Sequence, residues 1–187
     1  YFSSGGTIYG PTPAVRDETT PLAPQSPYGQ HKQRCEEIIC ESGVRYLIVR
    51  LANLVGSNQN PAQLLPALIQ QVMNGHVRVQ RFAHRDLLDV TDFASILDRL
   101  LAVTEFSDTV VLASGQSIAV PRLVETIQTI LNVSAKIEVV DSGEPQQFSI
   151  DRLRSYLPNI SFETDYPYRV IQRTISRQYG ETLEHLP

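Results

Sequence analysis

Tyr46 to Leu51 read YLIVRL, five apolar residues in six with no polar alternation. A strand with one wet face alternates polar and apolar residues, whereas a short continuous apolar run fits a strand covered on both faces, so a parallel sheet is implied. Upstream, Gly43 closes a helix that opens at Ser26-Pro27, an N-cap followed by a first-turn proline, which predicts a helix over 27–42. Before it, Pro11, Pro13, Pro21 and Pro24 interrupt any periodicity in a loop over 10–26, and Tyr1 to Ser4 read as the tail of a strand entering a Ser/Gly turn. Downstream, Asn53 to Asn60 (NLVGSNQN) is turn-rich, and Pro61 leads into an amphipathic helix over 62–74 that stops at Gly75. Short strands at 77–80 and 87–90 flank His84, Arg85 and Asp86, and Thr91 caps a helix over 92–103. A strand at 109–113, a helix at 120–132, a strand at 136–140 and helices at 151–157 and 167–179 follow. Strand and helix alternate throughout, so the fold class is α/β.

The chain has 187 residues, 42% hydrophobic and 19% charged, enough for a domain with a substantial core. Sixteen basic against twenty acidic residues give a net charge of -4, and no Lys/Arg run is present to neutralise a phosphate backbone, so no nucleic-acid partner is expected. No stretch reaches the ~18 to 20 unbroken apolar residues of a membrane span, and the opening YFSSGG lacks the basic start and apolar run of a signal peptide. A cytoplasmic protein without membrane contact is expected. Cys35 and Cys40 have no Cys/His ligand set beside them, so no metal site or disulfide framework is predicted.

Tyr28 and Lys32 stand four apart on the predicted helix, so both side chains leave from one face. An ammonium beside a phenol favours the phenolate, the condition for a general base. The same spacing also suits an ordinary surface pair. Asn53 after the apolar strand serves equally as a turn residue, Arg85 as an ion-pair partner of Asp86 or Asp89, and Ser3 and Ser4 as strand-end hydrogen-bonding groups.

Four segments in order change that balance: FSSGGTIYG (Phe2 to Gly10), SPYGQHK (Ser26 to Lys32), VRLANLVG (Val49 to Gly56) and HRDLLDVTD (His84 to Asp92). Together they resemble the extended short-chain dehydrogenase/reductase family, the NAD-dependent nucleotide-sugar epimerases and dehydratases. The resemblance implies the late part of a Rossmann-type doubly wound sheet with the YxxxK helix over residues 1–60. Residues 61–187 would then be mainly the small substrate-binding domain, with crossover elements returning to the sheet. By the same resemblance Tyr28 is the catalytic base exchanging a proton with a sugar hydroxyl. Lys32 holds the nicotinamide ribose, Ser3 also faces the cofactor, and Asn53 and Arg85 take the substrate diphosphate. NAD is the implied cofactor, a nucleotide-diphosphate sugar the substrate, and a homodimer through the Tyr/Lys helix the assembly.

Two departures qualify the resemblance. Gly5 occupies the place of the family's catalytic Ser or Thr, which leaves Ser4 or Thr7 as the available hydroxyl. The Asp and Glu that the 4,6-dehydratases carry next are Gly6 and Thr7 here, so dehydration is disfavoured and 4-epimerisation or 4-keto reduction remains. No G-x-x-G-x-x-G turn for the dinucleotide pyrophosphate is present, and the match begins at the family's fifth strand, so about 110 residues of a domain of typical size are expected to precede it. The reading is a 4-epimerase-like fragment. Its rival is a catalytically inactive binding or assembly module.

Overall fold

The computed structural model describes residues 1–103 and 107–183. A three-residue strand β1 (Phe2–Ser4) enters a one-turn helix α1 (Gly5–Ile8) where the sequence predicts only a turn. After the proline-rich loop come α2 (Pro27–Glu41), β2 (Leu47–Leu51), β3 (Asn53–Val55) and α3 (Leu64–Met73). The chain continues through β4 (His76–Gln80), β5 (His84–Asp89), α4 (Val90–Val103), β6 (Asp108–Leu112) and β7 (Ser117–Ala119). It ends in α5 (Val120–Leu131), β8 (Lys136–Val140), α6 (Asp151–Tyr156) and α7 (Tyr166–Leu183).

β2 is the middle strand of a parallel sheet ordered β1-β2-β6, with Ser4 opposite Leu51 and Val49 opposite Val110. Its Ile48 and Val49 are buried, which accounts for the unbroken apolar run. A second sheet is ordered β3-β5-β7, and β4 pairs with β8 in parallel. One apolar cluster joins these layers, from Val49 and Val111 through Leu87 and Leu123 to Ile171. No helix among the described residues is long and apolar enough to cross a membrane.

Three local expectations are corrected. His84, Arg85 and Asp86 lie inside a strand instead of between two, because their backbone pairs with β7, Arg85 opposite Ile118. That pairing is antiparallel, so the β3-β5-β7 sheet is mixed while β1-β2-β6 is parallel. Asn53 to Val55 form a strand and not a turn, since Asn53 pairs with Leu87 of β5, and the turn residues begin only at Ser57. The N-terminus of α4 is held by Asp89 and not by Thr91: the Asp89 carboxylate accepts from the Thr91 backbone N–H at 2.8 Å and from its hydroxyl.

Arg50, in the middle of buried β2, is satisfied by α2. Its guanidinium donates to Glu36 through Nη2 at 2.8 Å and Nε at 3.2 Å, and through Nη1 to the Tyr9 hydroxyl and the Glu18 carbonyl. Burial pulls Arg50 down, yet the Glu36 and Tyr9 contacts outweigh it and hold the guanidinium above its ordinary value. Burial likewise pushes the Tyr9 phenol up to about 12. This cluster ties the helix that carries Tyr28 and Lys32 to the sheet.

Candidate active site

The start of α2 sets the position of Tyr28. Ser26 caps it, accepting from the Gly29 N–H at 3.1 Å, and Pro27 pre-sets the first turn, so Tyr28 sits where the helix meets α1. Gly29 permits that approach, because a Cβ there would lie 2.4 Å from the Thr7 carbonyl oxygen. Tyr28 stays 55% exposed and forms one wall of a crevice of about 280 Å³. The same crevice is lined by Ser3, Ser4 and Asn53, so four of the residues singled out in the sequence converge.

Lys32 follows one turn along α2. Its ammonium donates to the Phe2 carbonyl at 2.9 Å and stands 5.5 Å from the centre of the Tyr28 ring. The helical i, i+4 spacing therefore brings ammonium and phenol together, and the β1 carbonyl fixes where the ammonium sits.

A side chain at position 5 has no room. A Cβ on Gly5 would meet the Leu51 carbonyl oxygen at 2.9 Å and the Phe148 ring at 3.2 Å. The hydroxyls beside it are organised instead: Thr7 Oγ1 donates to Ser4 Oγ at 2.9 Å, which leaves the Ser4 proton to point elsewhere. Ser4 lines the crevice and Thr7 stands behind it.

Asn53 Nδ2 donates to the Asp86 carbonyl at 3.0 Å, so the amide is held by its nitrogen at the crevice wall. Arg85 is not in this crevice. It lines a neighbouring one of about 360 Å³ with Val120 and Ser142, and Leu64 is the partition common to both. The expected ion pair with Asp86 or Asp89 is also not formed. Arg85 Nη1 donates to the carbonyls of His84 at 2.8 Å and Glu144 at 3.1 Å, while Asp86 serves Ser114 and Asp89 binds Arg177. Burial, and after it the nearby Arg16, lower the Arg85 guanidinium from its ordinary value against the opposing pull of Glu144.

Asp86 was visible in the sequence only as a partner for Arg85. It is fully buried, and Oδ1 accepts from the Ser114 N–H at 2.9 Å and hydroxyl at 2.8 Å, while Oδ2 has no partner. Burial pushes this carboxyl from 3.8 up to about 6 against the bonds from Ser114 that pull it down. Between those two values the native state holds a proton that the unfolded chain has released, so the contribution is fully present below about 4 and is lost as pH rises through 6. The stability of the parent relative to Asp86→Asn is therefore expected to increase as pH falls from about 7 to about 5. Urea denaturation at several pH values checks this, and a constant difference would mean the carboxyl stays ionised.

With this geometry in place, relatives are informative. The profile of the NAD dependent epimerase/dehydratase family matches residues 1–113. A putative UDP-glucose 4-epimerase of Methanocaldococcus jannaschii is 30% identical over 139 residues, 68% of this chain and 45% of that protein. A dTDP-4-dehydro-6-deoxyglucose reductase of Escherichia coli is 26% identical over 155 residues, 75% of this chain and 48% of that protein. Among solved structures, dTDP-glucose 4,6-dehydratase of Bacillus anthracis in complex with NAD superposes with a TM-score of 0.81 at 22% identity, over 98% of this chain and 61% of that one. The chain belongs to the NAD-dependent epimerase/dehydratase family. It spans about half the length of the curated relatives it matches.

Proposed function

We propose that this chain carries the proton-transfer and substrate-gripping groups of a NAD-dependent nucleotide-sugar 4-epimerase. The observation that supports the reading most directly is the pair of adjacent crevices that share Leu64 as a wall, one lined by Tyr28, Ser4 and Asn53 and the other by Arg85. A sugar in the first and its diphosphate in the second would span the partition. Tyr28 takes the proton from the sugar hydroxyl as that carbon is oxidised and returns it on reduction. Ser4, polarised by Thr7, donates to the same sugar oxygen in place of the hydroxyl absent at Gly5.

The cofactor half fits in part. Ser3 is 96% buried (4% exposed) with its Oγ unpartnered, and Lys32 is anchored beside Tyr28, so these residues would hold the nicotinamide end of NAD. Bound NAD supplies the hydride acceptor and donor. On this reading residues 1–60 belong to the nucleotide-binding half and residues 61–187 mainly to the substrate half. α2 also serves as a homodimer face, where Ile38 is 52% exposed.

A 4-keto reductase would use the same groups in one direction, and the Escherichia coli relative favours keeping that second reading. Two assays of this chain joined to a complete dinucleotide-binding half separate the two, one with UDP-glucose and catalytic NAD and the other with a nucleotide-linked 4-keto sugar and stoichiometric NADH. Formation of UDP-galactose without net NADH change supports the epimerase, and turnover only of a 4-keto sugar with stoichiometric NADH consumption supports the reductase.

Arg85 gives a further expected result. Lysine there keeps the charge but cannot reproduce a two-pronged guanidinium contact, so UDP binding should weaken by about 1 to 3 kcal/mol with little change in melting temperature. Calorimetric titration of Arg85→Lys with UDP checks it, and unchanged affinity would remove Arg85 from the site.

A further inference from the structure

We infer that the cavity between α4 and α7 is a second ligand site, taking a small organic anion whose apolar body enters the cavity and whose phosphate or carboxylate head meets Arg99. None of its lining residues borders the Tyr28 or the Arg85 crevice, so this site and the nucleotide-sugar reading stand or fall separately. Two helices build it by the same spacing. Asp92, Ser95 and Arg99 share one flank of α4, and Tyr166, Arg169 and Arg173 share one flank of α7, each set at i, i+3 and i+7. The segment from Asn159 to Glu163 supplies the third wall of a volume of about 280 Å³, near the lower limit for small-molecule pockets.

The charges on the wall do not cancel. Asp92 accepts from Arg173 at 3.2 Å and from the Tyr166 hydroxyl at 2.7 Å, and Glu163 is paired with Arg169. Arg99 is the guanidinium left over: it is exposed and makes no hydrogen bond or ion pair among the described residues. Arg169 and Arg173 engage their carboxylates through Nη1 and, in Arg169, Nε, which leaves Nη2 of each available. Their side chains stay 47% and 43% exposed, so an anion reaches them from solvent. The rest of the lining is apolar. Ile96 and Ile160 come from α4 and the 159–163 segment, and the rings of Phe162 and Tyr166 meet edge to face at 4.7 Å. The Tyr166 hydroxyl is already committed to Asp92 and to the Asp89 N–H, so its ring is the part left for a guest. A guanidinium fork suits the paired oxygens of a phosphate or carboxylate, and an apolar body beside it takes the isoleucine and phenylalanine surface out of water. A guest with only one of these halves leaves the other half of the site unsatisfied.

The test titrates the 187-residue chain, labelled at its isoleucine δ1 methyls, and follows the methyl NMR signals. Phenyl phosphate and benzoate are the two-part probes and differ in head group, while inorganic phosphate and phenol carry one half each. The Ile96 and Ile160 methyls should shift saturably with a two-part probe, at a dissociation constant about tenfold below those of phosphate and phenol, and the tighter of the two probes names the head group. Arg99→Met should weaken that binding about tenfold without moving the thermal melt. Arg34→Met, an equal loss of charge on α2, should leave it unchanged. No saturable shift at Ile96 and Ile160, phosphate or phenol binding as tightly as the two-part probes, unchanged affinity in Arg99→Met, or an equal loss in Arg34→Met would each overturn the assignment.

Discussion

Phenylalanine in place of Tyr28, in this chain joined to a complete dinucleotide-binding half, is expected to lower turnover by about 100- to 10,000-fold. The fold should survive, because the phenol is largely exposed and the ring that packs at the crevice wall is kept. Substrate affinity should change little, since the diphosphate grip is assigned to Arg85 in the adjoining crevice. The loss should be confined to kcat, as for a group whose contribution is made in the transition state. Steady-state kinetics beside a thermal melt checks the result. Near-normal kcat would make Tyr28 a packing residue and leave the inactive-module reading in front.

The second large effect belongs to the ionic cluster under α2. Arg50→Met strands the Glu36 carboxylate, which is buried and accepts three hydrogen bonds from Arg50. Removing one partner of a buried pair costs about 3 to 5 kcal/mol, because the other charge stays desolvated and uncompensated. Adding Glu36→Leu should recover most of that stability, since replacing both charges by apolar groups of similar volume is close to neutral. Urea denaturation of the parent, the single variant and the double variant makes the comparison. If the double variant is as unstable as the single one, the loss comes from the Tyr9 and Glu18 contacts of Arg50 rather than from the stranded carboxylate.

The parts of the fold visible in the sequence were those written in local patterns. YLIVRL announces a buried strand without help from its partners, and Ser26-Pro27 opens α2 through its own capping chemistry. Tyr28 and Lys32 were recognisable because a helix converts a spacing of four into a shared face. β7 was missed for the opposite reason: three residues have no period of their own, and their extension is enforced by β5, about 30 positions earlier. The same distance hides the site's supports. Glu36 and Arg50 meet across 14 positions and two elements, and Asp86 and Ser114 across 28. Arg85 was found as a residue but misplaced as a neighbour, because its position beside Leu64 depends on how two sheets pack.

The crowding at Gly5 bears on how such a site can change over generations. A serine codon is one base from two of the four glycine codons, yet the obstacle to the side chain is the main-chain oxygen of Leu51. No replacement at position 51 removes a backbone atom, and trimming Phe148 relieves only the second contact. β1 would have to slide or tilt against β2, whose pairing holds Ser4 opposite Leu51. Relief thus asks for a small backbone shift where the two strands pair, which no change of side chain at position 51 supplies directly. For an engineer the lesson is practical: a hydroxyl is more readily tuned at Ser4 or Thr7, where the backbone already accommodates one.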